Sequence, residues 1–240
     1  MILSLAHSND LRVILGSEKC GLAAAINIDE AGRMALTASV LMVHRGEVAF
    51  GGVSVDGRNR FNIMKKRGSV REKFQEVNID RELPGKVAIT HNRYATAGDP
   101  GSRKNIQPLV FSDTRFGPLA IAHNGTLVNQ TVIRQGLIER GAAFQSTTDT
   151  ETIIHLMLQS GKSNVQEAII AALEQVRAAY SLLILTRDHL YAIRDPYGTR
   201  PLSVARYQNG YLVLSENYPF EESISGSALR SADGFHRGLG

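Results

Sequence analysis

The chain holds one cysteine, Cys20, which stands directly before a glycine and a small apolar run, CGLAAAIN. A lone cysteine is either a small buried hydrophobe or, with its thiolate accessible and a base at hand, a nucleophile. Four further segments concentrate Gly, Arg, Asn and Asp: THNRYATAGDPGSRKN at 90–105, AHNGTLVN at 122–129, TTDTE at 147–151 and RDPYGTRPL at 194–202. Each lies at the end of a predicted strand or the start of a predicted helix, where loops on rigid elements usually carry sites. Within them Arg93 is either a surface ion-pair residue or a planar fork for a carboxylate. Asn124-Gly125 is either a turn dipeptide or a pair of hydrogen-bond donors. Asp149 can complement a helix N-terminus and bind a cation at once. His91, His123 and His155 lack the spacing of a metal-ligand set, so no metal is expected.

The elements that must position these residues can be read from periodicity. Residues 20–27 form a small, apolar, buried strand, and VAITH at 87–91 and LAIAH at 119–123 form two more. A helix is expected over Met34–Arg45 with Gly46 as its stop, and another over 128–140 ended by Gly141. Thr148-x-x-Glu151 is a capping-box pattern, and Ser163-x-x-Gln166 opens a further helix with Val165, Ile169, Ala172 and Leu173 on one stripe. Strands return at 182–185 and 190–193 around Arg187-Asp188-His189, and at 202–207 and 211–215 around Asn209-Gly210, a short hairpin signal. Strands, then helices, then strands imply an α+β fold with packed antiparallel sheets. From about residue 221 a Ser- and Gly-rich stretch has little to bury and is expected to be a disordered tail.

Composition excludes several classes. The 240 residues are 43% hydrophobic, enough for one core. The net charge of +4 comes from scattered Lys and Arg, with no basic run interleaved with aromatics, so no nucleic-acid partner is expected. No apolar run reaches the roughly 20 residues a membrane helix needs. His7, Asp10 and Arg12 interrupt any signal-like apolar segment, and a single cysteine permits no internal disulfide. The expected location is a reducing cytoplasm.

Taken in order, the Cys20-Gly21 start, HRG at 44–46, RYATAG at 93–98, HNG at 123–125, TTDTE and RDPYGTRPL resemble the glutaminase domain of class II glutamine amidotransferases. Within that group the sequence looks most like the amidophosphoribosyltransferase family, over roughly residues 20–218. Tyr94 and RDPYGTRPL favour that branch over the fructose-6-phosphate and asparagine branches. The resemblance implies a four-layer αββα Ntn-hydrolase sandwich of two antiparallel sheets. It also implies that residues 1–19 are a propeptide, and that residues 20–220 hydrolyse L-glutamine to glutamate and ammonia through a Cys20 thioester. By the same resemblance Asn124 and Gly125 form the oxyanion hole, Arg93 clamps the substrate α-carboxylate and Asp149 meets its α-ammonium. RDPYGTRPL is assigned to structure and domain packing.

Two departures stand out. The family reads HRGQE where this chain has HRGEV at 44–48, so Glu47 and Val48 put details of the substrate pocket in question. No phosphoribosyltransferase motif is found, so that half, with its sites for magnesium and, in some relatives, an iron–sulfur cluster, is expected to be absent, and no cofactor is expected in this chain. The expected partners are glutamine, an acceptor domain or chain that aminates phosphoribosyl pyrophosphate in purine biosynthesis, and a second copy of this chain. The competing readings are a non-catalytic or regulatory glutamine-binding Ntn module, or an ammonia donor to a different acceptor enzyme. The loop at 93–105 is expected to be mobile.

Overall fold

A computed structural model of the chain describes residues 20–94 and 102–217. The expected propeptide, the expected tail and residues 95–101 of the expected mobile loop lie outside them. The elements run β1 (Gly21–Ile26), α1 (Ala31–Leu41), β2 (Ala49–Val55), β3 (Phe61–Arg67), α2 (Val70–Lys73), α3 (Ile79–Glu82), β4 (Val87–Arg93), β5 (Leu109–Phe111) and β6 (Leu119–Gly125), then α4 (Gln130–Glu139), α5 (Thr150–Gln159), α6 (Val165–Leu173), β7 (Tyr180–Leu185), β8 (Leu190–Arg194), β9 (Ser203–Tyr207) and β10 (Gly210–Leu214).

The apolar strands read as continuous runs because both of their faces are covered. Successive side chains point to opposite faces of a strand. In β1, Leu22 and Ala24 meet Ala120, Ala122, Leu183 and Leu185 of the other sheet, while Ala25 faces Ala31 and Ala35 of the α1 layer. In β6 and β7, Ile121, Leu182 and Ile184 face the opposite way, onto Ile153, Met157 and Ile169 of α5 and α6. Both sheets are antiparallel, one ordered β3-β2-β4-β1-β10-β9 and the other β5-β6-β7-β8. Helix, sheet, sheet and helix therefore stack as the expected α+β, four-layer αββα sandwich. Truncating a fully buried residue such as Ile121 to Ala would cost about 2–5 kcal/mol.

Several local expectations need correction. The helix expected over 34–45 ends at Leu41, and a separate 3₁₀ turn covers Val43–Arg45. That break turns Arg45 inward. The expected capping box does not form: Asp149 is the N-cap of α5 and makes no side-chain cap bond. Glu151 instead accepts from the backbone N–H groups of Gln145 and Ser146 at 2.7 and 2.6 Å. Asn164, not Ser163, caps α6, accepting from the Glu167 N–H at 2.8 Å. The late hairpin turns on Gln208-Asn209, with Gln208 at φ 52°, and Gly210 is already in β10. A side chain at Gly210 would collide with the Ile26 carbonyl, so the glycine serves strand approach.

The β2–β3 hairpin had no clear signal in the sequence. Its inner strand, AFGGVSV, carries two glycines because a Cβ at Gly51 would strike the Gln107 carbonyl and one at Gly52 would lie 2.9 Å from Leu83 Cδ1. Its turn is closed by Asp56, whose carboxylate accepts from the backbone N–H groups of Arg58 and Arg60 at 2.9 and 3.0 Å.

Candidate active site

The two sheets bring strand ends together at one edge of the sandwich. Cys20 precedes β1, and the β1–β4 register pairs Gly21 with Asn92, so the next step along the pair sets Cys20 beside Arg93. From the facing sheet, β6 ends in Asn124 and Gly125, paired with Ser181 and Tyr180 of β7. Cys20, Arg93, Gly125 and Asp149 line a single pocket. Asn124 lies fully buried, and neither atom of its side-chain amide has a hydrogen-bond partner among the described residues. The five residues singled out in the sequence thus converge, four of them on the pocket surface. The cavity holds about 20 Å³, room for roughly one water.

Opposite charges flank the thiol. Arg93 is buried, at 4% exposure, at the end of β4. Asp149 is equally buried: its Oδ2 accepts from the Leu127 N–H at 2.9 Å and its Oδ1 lies 3.6 Å from His123 Nδ1. Burial pushes the Asp149 carboxyl up, but the neighbouring His123 and the backbone N–H groups of Leu127 and Thr150 more than offset it. The net result is below its ordinary 3.8, so the group is a carboxylate at neutral pH. His91, deep behind Arg93, is driven down to about 3 by burial, with the charges of His123 and Arg93 adding to the effect, and is a neutral ring.

Glycines here are required by close approach. A Cβ at Gly125 would strike the Ala179 carbonyl and come within 2.7 Å of His123 Nε2, and one at Gly46 would lie 2.5 Å from the Arg93 carbonyl carbon. The HRG segment therefore packs its glycine against the backbone of the site. Its two departures do not reach the pocket: Glu47 is exposed, Val48 is 36% exposed, and Val48 contributes its backbone N–H to the Arg93 carbonyl at 3.3 Å.

Sequence reasoning missed several residues of the site. Gln107 lines the pocket and accepts from the His123 N–H through Oε1 at 2.7 Å. Asn105 ties the 102–107 segment to the α5 entry through Thr147, donating to Oγ1 at 2.8 Å and accepting from its N–H at 3.1 Å. His123, read as part of the HNG motif and as a metal candidate to reject, is the partner of Asp149 and Thr150. His155 lies apart from it, edge-on to Phe111 and packed on Phe144. Asn105 closes the polar stretch at 90–105 and Gln107 lies two residues beyond it, and neither carried a recognisable pattern.

RDPYGTRPL, assigned above to structure and domain packing, is a loop that bonds its own backbone. Asp195 accepts from the backbone N–H groups of Tyr197, Thr199 and Arg200 at 3.0, 3.3 and 3.2 Å, and Arg194 donates to the carbonyls of Arg200 and Gly198 at 2.9 and 2.6 Å.

Among the described residues no helix is long and apolar enough to cross a membrane. A family model described as a glutamine amidotransferase domain matches residues 91–222, more than half of the chain. The chloroplastic amidophosphoribosyltransferase 2 of Arabidopsis thaliana is 39% identical over 211 residues, 88% of this chain and 37% of that protein. The amidophosphoribosyltransferase of Bacillus subtilis (strain 168) is 37% identical over 205 residues, 85% of this chain and 42% of its own. Among solved structures, the B. subtilis glutamine phosphoribosylpyrophosphate amidotransferase complexed with ADP and GMP superposes with a TM-score of 0.78 at 36% identity, over 84% of this chain and 43% of that one. A glutamine aminotransferase class-II domain protein from Silicibacter pomeroyi, at 16% identity and TM-score 0.55, covers 81% of this chain and 88% of that one, a likeness of fold alone. The chain spans less than half the length of the curated relatives named here. On the match over residues 91–222 and the shared fold, this chain belongs to the glutamine amidotransferase family.

Proposed function

We propose that this chain hydrolyses L-glutamine to glutamate and ammonia, and that the ammonia aminates phosphoribosyl pyrophosphate at a linked acceptor domain or chain, as the relatives' names imply. The observation that carries the reading is a buried Arg93 and an ionised Asp149 on one pocket with the Cys20 thiol. A free amino acid offers a carboxylate and an ammonium at fixed separation. Two fixed charges of opposite sign bind that pair, and leave the side-chain amide to face the thiol. An arginine fork suits the carboxylate because it can give two parallel hydrogen bonds.

The chemistry follows from the groups at hand. Cleavage of the Lys19–Cys20 peptide bond frees an α-amine, which titrates near pH 8, roughly, and accepts the thiol proton. The thiolate adds to the amide carbon, and the developing oxyanion is held by the Asn124 side-chain amide, which has no partner among the described residues, and by the Gly125 N–H. The amine returns the proton to the leaving nitrogen, ammonia departs, and a glutamyl thioester remains on Cys20. Water, deprotonated by the same amine, adds to the thioester and releases glutamate and the thiol. Every proton in this sequence moves between the substrate, water and this chain's own groups. Magnesium and iron–sulfur chemistry belong with the acceptor half. A thiol nucleophile suits a reducing compartment such as the cytoplasm. Glutamine binding requires the mouth, where Tyr94 is 41% exposed, to open beyond the present cavity.

The test is intact mass and ammonia release together. Protein beginning at Cys20 should hydrolyse glutamine, and Cys20→Ala should not. Glutamine binding with no ammonia release by processed protein would favour the non-catalytic binding module.

A further inference from the structure

Cys20 stands just before β1, and a side chain from another element holds its carbonyl. Arg45 reaches it: Nε donates to the Cys20 carbonyl at 3.0 Å. The guanidinium is itself buried, with its side chain 8% exposed, and a buried charge requires an anion. That anion comes from 171 residues downstream, where Glu216 Oε1 lies 2.6 Å from Arg45 Nη1. The second oxygen of Glu216 meets His44 Nε2 at 2.9 Å. Glu216 is held in turn by its neighbour. The Ser215 N–H donates to the Leu22 carbonyl and the Leu22 N–H donates to Ser215 Oγ, both at 2.9 Å, so the end of β10 is stitched to the start of β1. Burial raises the Glu216 carboxyl, and its bonds to Arg45 and His44 outweigh that and leave it below the ordinary value, an anion at neutral pH.

We propose that Glu216 is a positioning residue for the nucleophile: it holds Arg45 so that the guanidinium fixes the Cys20 carbonyl, and with it the direction of the thiol and amine. This rests on the reading of Cys20 as the nucleophile given above. Glu216 lines no part of the glutamine pocket. Its loss should therefore alter the aim of Cys20 and leave substrate binding alone. Alignment of reacting groups is among the larger sources of rate, and small misplacements are costly.

Because the chain has one cysteine, labelling with carbonyl-¹³C cysteine gives one resonance that reports the Cys20 carbonyl directly. In Glu216→Gln and Arg45→Lys that resonance should shift and broaden. Turnover per titrated thiol should fall about tenfold, and KM for glutamine should change less than twofold. Glu216→Asp, which keeps the charge on a shorter arm, should recover part of the rate. A purely structural role would lower the melting temperature and the titratable fraction without changing turnover per thiol. An unmoved resonance with unchanged turnover in folded Glu216→Gln overturns the proposal. If the wild type hydrolyses no glutamine while the resonance responds to Glu216→Gln, the nucleophile reading fails and the hold on Cys20 stands.

Discussion

Two regions of this molecule are rich in Gly, Arg, Asn and Asp, and they use these residues in opposite ways. In RDPYGTRPL the polar groups turn on their own loop, Asp195 gathering three backbone N–H groups and Arg194 two carbonyls. At the strand ends around Cys20, Asn124 keeps both amide atoms and His123 keeps Nε2 without a partner among the described residues, and both side chains are buried. An unsatisfied buried polar group costs about 1–3 kcal/mol, so one that borders a pocket is a candidate to meet a ligand. Composition alone marks both regions as candidate sites. The loop spends its carboxylate and Arg194 on its own backbone, whereas the strand ends hold a buried amide with no partner among the described residues.

The sharpest way to break the contrast is at Gly125. Gly125→Ala would meet the Ala179 carbonyl and His123 Nε2, displacing the N–H proposed for the oxyanion. Glutamine hydrolysis should fall by about 10²–10³ in kcat. A kcat within threefold of wild type would show that this N–H does not meet the reacting oxygen.

Arg93→Lys comes next. Replacing a fork with a point charge should raise KM for glutamine about 10- to 100-fold, the equivalent of losing one charge-assisted bond, with a smaller change in kcat. An unchanged KM would move the carboxylate clamp to another residue.

Asp195→Ala tests the satisfied side. Losing three backbone bonds to a carboxylate should cost about 2–3 kcal/mol, and thermal unfolding should begin several degrees lower. Activity per folded molecule should stay within twofold. A large rise in KM would place the loop in the site.

The smallest effect is pH-dependent. Glu151 is buried, and its bonds from His155, Ser146 and the Gln145 and Ser146 N–H groups outweigh burial and hold its carboxyl below its ordinary 4.5. A folded-state pKa below the unfolded one gives stability that is present above the unfolded value and lost as pH falls through the folded one. The melting-temperature gap between wild type and Glu151→Gln should therefore be full at pH 7 and shrink below about pH 4.5. A gap constant from pH 7 to pH 3.5 would mean that the carboxylate's charge contributes nothing.

What the sequence disclosed follows from range. Strands β1, β6 and β7 were legible because both faces are covered and the apolar runs are long, and β4 was legible from the alternation in VAITH. Cys20, Arg93, Asn124, Gly125 and Asp149 stood in local motifs, and the fold brings them together, four of them on the pocket surface. The β2–β3 hairpin escaped because Gly51 and Gly52 answer to Gln107 and Leu83, partners distant in sequence. The α5 start was misplaced by a residue because Glu151 bonds the 145–146 backbone rather than capping its own helix, and the α6 start because Asn164, not Ser163, takes the cap. Gln107, His123 and Glu216 act through pairs 16, 26 and 171 residues apart, for which no local spacing exists.

The central claim is a covalent one, and trapping the intermediate tests it most directly. Protein beginning at Cys20 is mixed with glutamine, quenched in acid within one turnover, digested and weighed. The account predicts that the peptide carrying Cys20 gains the mass of a glutamyl group as a base-labile thioester, and that Cys20→Ala gains none. Ammonia release at full rate with no adduct on Cys20, or an adduct on any other residue, would contradict it.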